Sequence, residues 1–279
     1  MGPGERYDVI VDFTGLTDTT EIIMYNSAKN EPFENFPDSY EENFMTNPTG
    51  KVMKFKVNNS LKSSKGDKST PPQQLKLKAS PPPNSMKYDR TRDLAMIEQK
   101  SKICVTDETC NASTTTCNAG TTSFGPVKVS LGYGQGVTAQ PRSFNDPICM
   151  NPTNGSTEIL HLWNLTPDSH PMHFHLIKFQ VIARYKLAEF QAKYNGTNPF
   201  TTGLTPIVNQ LPWEYEKDMV IAYPNTVTQL RATFDKVGLY VWHCHIVSHE
   251  DNEMMLPFCV GKPGVDCPKE LFTSAPCPK

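Results

Sequence analysis

An all-β chain, built as a sandwich or barrel, is what this sequence predicts. Three observations carry that expectation. Strand-length runs rich in Val, Ile, Leu and aromatics recur along the chain, Gly, Asn and Pro turns separate them, and no sustained 3.6-residue periodicity competes. At 279 residues there is room for one large or two smaller domains with a buried core.

In chain order, Tyr7 to Phe13, Glu21 to Tyr25 and Val52 to Val57 read as three strands of an incomplete sheet, so residues 1–60 form a first β region. The opening Arg6-Tyr-Asp-Val-Ile-Val-Asp-Phe13 alternates like a strand from its first residues, with no leader or cap before it, and the expectation is that an N-terminal portion precedes Met1. Residues 61–87 shift to Lys, Ser and Pro, including Pro71-Pro72 and Pro81-Pro82-Pro83, a composition that favours an extended linker. Asp89 to Lys100 is expected as a short helix or an edge strand, and the apolar-poor Cys104 to Gly120 stretch as a surface loop. The second domain, residues 88–262, carries the stronger signal: Glu158 to Leu165, His173 to Ala183, Asp218 to Ala222, Gln229 to Phe234 and Gly238 to His245 read as strands, with a short helix near Leu187 to Tyr194. A Cys- and Pro-containing tail, residues 263–279, follows.

Lys plus Arg number 27 against 29 Asp plus Glu, so no long-range field favours nucleic acid or an anionic membrane. No apolar run reaches 18 residues, and the first residues lack the regions of a signal peptide, so neither a membrane span nor secretion is written there. Other features point to an oxidising compartment. Eight cysteines include the groups Cys104, Cys110, Cys117 and Cys259, Cys267, Cys277, whose spacing suits disulfides better than zinc because no CxxC pair occurs. Five N-x-S/T sequons, at Asn58, Asn111, Asn154, Asn164 and Asn195, are permissive for secretion but form a short pattern that chance also produces.

Six of the seven histidines lie in two blocks, His170-Pro-Met-His173-Phe-His175 and His243-Cys244-His245-Ile-Val-Ser-His249-Glu250-Asp-Asn-Glu-Met254-Met255. A single His is ordinarily a hydrogen-bonded core or surface residue; six gathered around a Cys and a Met point to metal ligation. Side chains alternate along a strand, so His243 and His245 face one way and Cys244 the other, and one tripeptide can serve two sites. His173 and His175 share a face and are placed to meet that pair from a neighbouring strand. On the Cys face, His170, Cys244, His249 and Met254 offer two imidazoles, a thiolate and a weak thioether, the donor set of a blue-copper electron-transfer site. Zinc is the rival, although a structural zinc site has no use for Met and ordinarily shows paired Cys spacing.

These two blocks resemble the C-terminal copper signatures of the multicopper oxidases, and most closely the branch of spore-coat laccase, bilirubin oxidase and the plant low-phosphate-root ferroxidases. Gly4-Glu-Arg-Tyr-Asp-Val-Ile-Val-Asp-Phe13 is similar to the end of that branch's second cupredoxin domain. The resemblance implies a cupredoxin-like Greek-key fold, with residues 1–60 a partial domain and 88–262 a complete copper-binding one. It implies His170, Cys244, His249 and Met254 as type 1 copper ligands, His173 as a type 2 ligand, and His175, His243 and His245 as type 3 ligands. Glu250 matches an acidic residue that assists proton delivery to O2, against the alternative of a solvated loop charge. Electrons would come from a phenol, a tetrapyrrole or Fe2+. The family's trinuclear cluster uses eight histidines, four of them from two His-x-His motifs of a first domain, and no such motif stands upstream of His161 here. The type 2 and type 3 sites are therefore half-supplied, a missing N-terminal cupredoxin domain is the expected partner, and the full-length protein is expected to be secreted or on the cell surface.

Other residues receive plainer readings. His161, alone in its strand, is expected to be structural. Asp168 lies two residues before His170, where it would help hold a cationic donor, but Thr166-Pro-Asp168-Ser is also a strong turn signal. Glu214, Glu216 and Asp218 read as a solvated strand edge. Two competing functions stay open: a non-enzymatic blue-copper electron carrier, which has no use for His173, His175, His243 and His245, and a truncated, non-catalytic cupredoxin module.

Overall fold

The computed structural model describes residues 1–28, 45–66, 68–76, 87–100, 104–106, 121–123, 126–194, 203–209, 214, 216–272 and 277. The chain divides into two compact units, one of Arg6–Ser80 and one of Pro81–Lys279 together with Met1–Glu5. In the smaller unit β1 (Glu21–Tyr25) and β2 (Lys51–Lys56) pair antiparallel, with Glu21 opposite Lys56 and an ion pair from Lys54 to Glu21. The stretch Tyr7 to Phe13, expected as a strand, forms none. Val9 and Ile10 are 68% and 65% exposed, and alternation alone does not make a ladder where no strand among the described residues pairs with it.

The larger unit begins with β3 (Arg90–Lys100), β4 (Cys104–Thr106), β5 (Thr121–Ser123), β6 (Pro126–Tyr133) and β7 (Gln140–Pro141). It continues through β8 (Ser156–Asn164), β9 (His170–Phe174), β10 (Phe179–Lys186), helix α1 (Leu187–Lys193), β11 (Val208–Asn209), β12 (Met219–Ala222) and β13 (Thr226–Phe234). The last elements are β14 (Gly238–Cys244), the one-turn helix α2 (Val247–Glu250) and β15 (Met255–Val260). Seven strands form one sheet, ordered β11-β10-β13-β8-β3-β6-β7, and four form another, β12-β9-β14-β15; β4 and β5 make a separate small ribbon. The core lies between the two large sheets: Leu94, Leu131, Leu160 and Leu162 from the first meet Met172, Phe174, Trp242 and Phe258 from the second. This is the all-β sandwich the sequence predicts.

Burial on both faces explains the first sheet. Along β8, Leu160 and Leu162 enter the inter-sheet core, whereas Ile159 and Trp163 pack under Phe190 of α1 and Tyr194. The same two-sided pattern corrects the reading of residues 89–100: β3 is an interior strand, parallel to β8 and antiparallel to β6, with Leu94 and Met96 facing one core and Ala95 and Ile97 the other. The single run expected from His173 to Ala183 is two strands in different sheets, broken where Leu176 adopts a φ of 74°.

Disulfides join Cys149 to Cys277 and Cys259 to Cys267, and Cys244 is the free thiol among the described residues. The pairing expected within Cys104, Cys110 and Cys117 lies outside what is described. Among the sequons, Asn58 and Asn154 are exposed, Asn111 and Asn195 lie outside the described residues, and Asn164 is fully buried, which closes it to a glycan in this fold. No described helix is long and apolar enough to cross a membrane.

Candidate metal centre

Both histidine blocks lie in the four-stranded sheet. In β9 and β14 the antiparallel register sets His173 opposite His243 and Met172 opposite Cys244. Strand alternation then sends the Cys244 side chain into the inter-sheet core beside Trp242, while His243 faces the other way. His245, one residue past the strand end, continues the alternation and is anchored by its N–H on the Pro171 carbonyl at 2.7 Å.

On the core side, Cys244 Sγ lies 3.8 Å from His170 Nδ1 and 3.9 Å from His249 Nδ1, and all three donor atoms fall within 4.8 Å of one another. His170 opens β9 and is held from behind: its Nε2–H donates to Thr166 Oγ1 at 2.8 Å, and the Thr166 hydroxyl donates to Asn164 Oδ1 at 2.8 Å. Asn164 is itself fixed, donating to the carbonyls of Asp168 and Ala222. That chain of bonds leaves the His170 Nδ1 lone pair facing the thiol. The loop carrying His249 closes on the strand through Cys244 N–H to Met254 O and Met254 N–H to His249 O, both 3.0 Å, and buries Met254 in the same core as Cys244. Burial, helped by the like charge of His249, pushes His170 down to about 3. Burial also lowers His249, against the opposing charge of Asp168, and raises the Cys244 thiol to about 12.

On the opposite side, donor nitrogens of His173, His175 and His243 also lie within 4.8 Å of one another. The ring centroids of His173 and His175 are 5.0 Å apart, and those of His173 and His243 are 5.3 Å apart. His245 flanks the group, its ring 5.6 Å from His243 and 6.0 Å from His173. Backbone carbonyls orient two of these rings: His173 Nδ1–H donates to Asp218 O at 2.8 Å and His243 Nδ1–H to Cys244 O at 3.0 Å. The Nε2 atoms of His175 and His243 then face each other at 3.3 Å. Burial lowers His173 and His175, so these imidazoles stay neutral and available as donors. Glu250 Oε2 lies 3.3 Å from His243 Nδ1, at the edge of the group.

The remaining sequence-derived candidates fall elsewhere. His161 is fully buried on the far face of the first sheet, bonded to Asp93 through Nδ1 at 3.0 Å and to Gln229 through Nε2 at 3.1 Å, a structural role as expected. Burial opposes ionisation of Asp93, but bonds from His161, Trp163 and Gln135 outweigh it and hold its carboxyl below the usual range. Asp168 forms the expected turn, its carbonyl accepting from Asn164 Nδ2 and its N–H donating to Thr166 Oγ1 at 3.3 Å. The reading of a solvated acidic edge is corrected at Glu214, which is buried and paired with Arg184 at 2.6 Å, whereas exposed Glu216 fits it with Lys178 at 3.7 Å. Asn164, Thr166 and the Asp218 carbonyl were invisible to the ligand pattern. The one signal was a polar Asn-x-Thr at the end of an apolar strand, and it also spells a sequon.

Copper fits what these residues offer. A buried thiol with two imidazole Nδ1 atoms is the soft, three-donor set that copper takes, and the opposite group is all imidazole, a good donor for the same metal. A profile of the family described as multicopper oxidase matches residues 120–264, just over half of the chain. The laccase of Bacillus subtilis (strain 168) is 30% identical over 269 residues, covering 94% of this chain and 42% of that protein. Multicopper oxidase LPR2 of Arabidopsis thaliana is 29% identical over 290 residues, covering 93% and 42%. The solved McoA multicopper oxidase of Aquifex aeolicus aligns with a TM-score of 0.48 at 20% identity, covering 90% of this chain and 43% of that one. The chain thus spans about two fifths of the length of these curated relatives. With the match reaching across both histidine blocks and the strands that join them, the chain belongs to the multicopper oxidase family.

Proposed function

We propose that this chain is the copper-holding C-terminal part of an oxidase that takes electrons singly from a reducing donor and delivers them to O2, which becomes water. The observation that carries this reading is the position of Cys244, whose thiol belongs to one donor group while its carbonyl bonds a histidine of the other. Copper, when bound, supplies one-electron transfer on the thiolate side and dioxygen reduction on the imidazole side.

The chain's own residues contribute position, insulation and protons. His170, Cys244, His249 and Met254 are the proposed type 1 ligands. Their burial keeps water from the thiol, and the half-buried His249 is the edge through which a donor is reached. Asp168, whose charge is felt at His249, is placed to hold a cationic donor such as Fe2+; a phenol or a tetrapyrrole would use the same edge. From the Cys244 sulfur the path to the imidazole group runs through one residue's covalent bonds and the 3.0 Å bond from His243 to the Cys244 carbonyl. His173 is the proposed type 2 ligand and His175, His243 and His245 the type 3 ligands. Glu250 holds a carboxylate beside His243, where a proton bound for oxygen can be passed on.

Four imidazoles are half of the cluster, so the other half is assigned to a cupredoxin domain outside this sequence, in keeping with the two fifths of the relatives' length that the chain spans. Residues 1–60 are then part of a second cupredoxin domain, 61–87 the linker and 88–262 the copper-binding domain, in a secreted or surface protein. The completeness of the Cys244 group within this chain favours a second reading, a non-catalytic blue-copper electron-transfer module. The test is copper loading of the 279-residue chain. One tightly held copper with intense thiolate absorbance in the red, no oxidase turnover alone, and turnover on adding the N-terminal part of a relative support the oxidase. Turnover that never appears with that complement favours the module, and a colourless, tetrahedral zinc site would sink both.

A further inference from the structure

We propose that Gly4 is a positioning residue for His245, and that the turn Met1–Glu5 is a backbone wall that fixes how this imidazole stands beside the histidine group. The inference rests on the reading of His245 as a member of that group. Gly4 has a φ of 81°, the left-handed region that favours glycine. A Cβ placed on it would lie 2.6 Å from His245 Cδ2, 2.9 Å from Nε2 and 3.0 Å from Cγ, so a methyl group there would press on the Cδ2 side of the ring and displace it. A bond from the His245 N–H to Pro171 O at 2.7 Å resists a shift of the His245 backbone. A change in how the imidazole stands relative to His243 and His173 is the softer response.

The wall is itself anchored. Glu5 Oε1 pairs with Lys217 Nζ at 3.1 Å, with the two side chains only 8% and 11% exposed, and Glu5 Oε2 accepts the Gly2 N–H at 2.8 Å. Glu5 N–H returns a bond to Gly2 O at 3.1 Å, which closes the turn. Gly2 in turn lies against Ile221 of β12, the strand paired with the His173 strand, where an added Cβ would meet Ile221 Cγ1 at 3.1 Å. Lys217 immediately precedes Asp218, whose carbonyl orients His173. One ion pair thereby ties the wall behind His245 to the segment that orients His173.

The test uses the 279-residue chain with labelled histidine, first metal-free and then titrated with copper(II). Gly4→Ala is compared with Gly15→Ala, where φ is also 81° but nothing lies within 4 Å of an added Cβ, so that strain alone is controlled. Gly4→Ala is expected to shift the His245 ring resonances of the metal-free chain and to weaken copper at the imidazole group by about tenfold or more, leaving the Cys244 absorbance intact, while Gly15→Ala does neither. Glu5→Gln and Lys217→Met, which add no Cβ beside His245, are expected to move the same resonances by a smaller amount. They decide the matter if Gly4→Ala does not fold. Unchanged His245 resonances in Gly4→Ala, or in the anchor variants where it does not fold, would overturn the proposal. Shifted resonances in a chain that takes copper at neither donor group, the Cys244 group included, would uphold the wall and discard the metal reading.

Discussion

Raising the pH through neutrality is the perturbation that isolates the Cys244 thiol. Burial pushes that thiol up to about 12, a hydrogen bond from the Ile246 backbone opposes the rise, and the Glu250 charge adds to it. At pH 7 the thiol therefore sits about five pH units below its ionisation, and forming the thiolate costs roughly 7 kcal/mol before any metal bond is made. The imidazoles carry no such cost. His170 is pushed down to about 3, chiefly by burial, and His249 is lowered, so both are neutral above pH 6.5. Copper uptake at this site then releases one proton, and its apparent association constant should rise about tenfold per pH unit between roughly pH 6.5 and 9. The assay is a titration of the metal-free chain against a chelator whose own pH dependence is measured separately, read by the thiolate absorbance, with Cys244→Ser as the blank. A slope of zero would mean that the thiol is not a ligand. A slope of two or more would mean that burial does not keep the imidazoles neutral, and the reasoning fails.

Three further outcomes are expected. The depressed His170 gives stability to the metal-free chain that is fully present above its unfolded pKa of about 6.5 and is lost as pH falls toward 3, so urea unfolding at pH 5 should show roughly 2 kcal/mol less from this group than at pH 7, a difference absent in His170→Gln. Thr166→Val removes the acceptor of the His170 Nε2–H and should weaken copper at the Cys244 group by about 10- to 100-fold in the same chelator assay, while Thr166→Ser restores it. Arg184→Met leaves buried Glu214 without its ion pair and should cost about 3–5 kcal/mol in denaturant unfolding, whereas Arg184→Met combined with Glu214→Leu should recover most of that loss.

The fold was legible where a run is apolar or β-branched almost throughout, as along Glu158 to Leu165, and less so elsewhere. Glu21 to Tyr25 and the Leu187 helix start where the pattern puts them. Asp89 to Lys100 was ambiguous because both faces of β3 are covered, so its period-2 alternation is erased and charged ends remain to suggest an edge. Tyr7 to Phe13 erred in the opposite direction: its alternation is clear, yet a strand needs a neighbour, which no local pattern supplies. The break at Leu176 was hidden because a Leu at positive φ carries no glycine or proline to announce it.

The candidate site was more legible than the fold around it, because alternation along β14 separates Cys244 from His243 whatever the topology, and His249 and Met254 follow on one short loop. Pairing β9 with β14 was the only long-range step needed to bring the blocks together. What stayed hidden were the groups that act through the ligands. Asn164 and Thr166 matter because a turn folds them behind His170, and Gly4 because a segment 241 residues away in sequence from His245 is anchored against its ring. The same burial then acts on the two donor types in opposite directions. It leaves the His170 imidazole neutral but keeps the Cys244 thiol protonated, so in the proposed copper site the thiol would set the pH dependence of metal binding. Copper binding at the proposed site is therefore expected to be weakest in acid, where neither the buried surroundings nor the solvent helps the sulfur give up its proton.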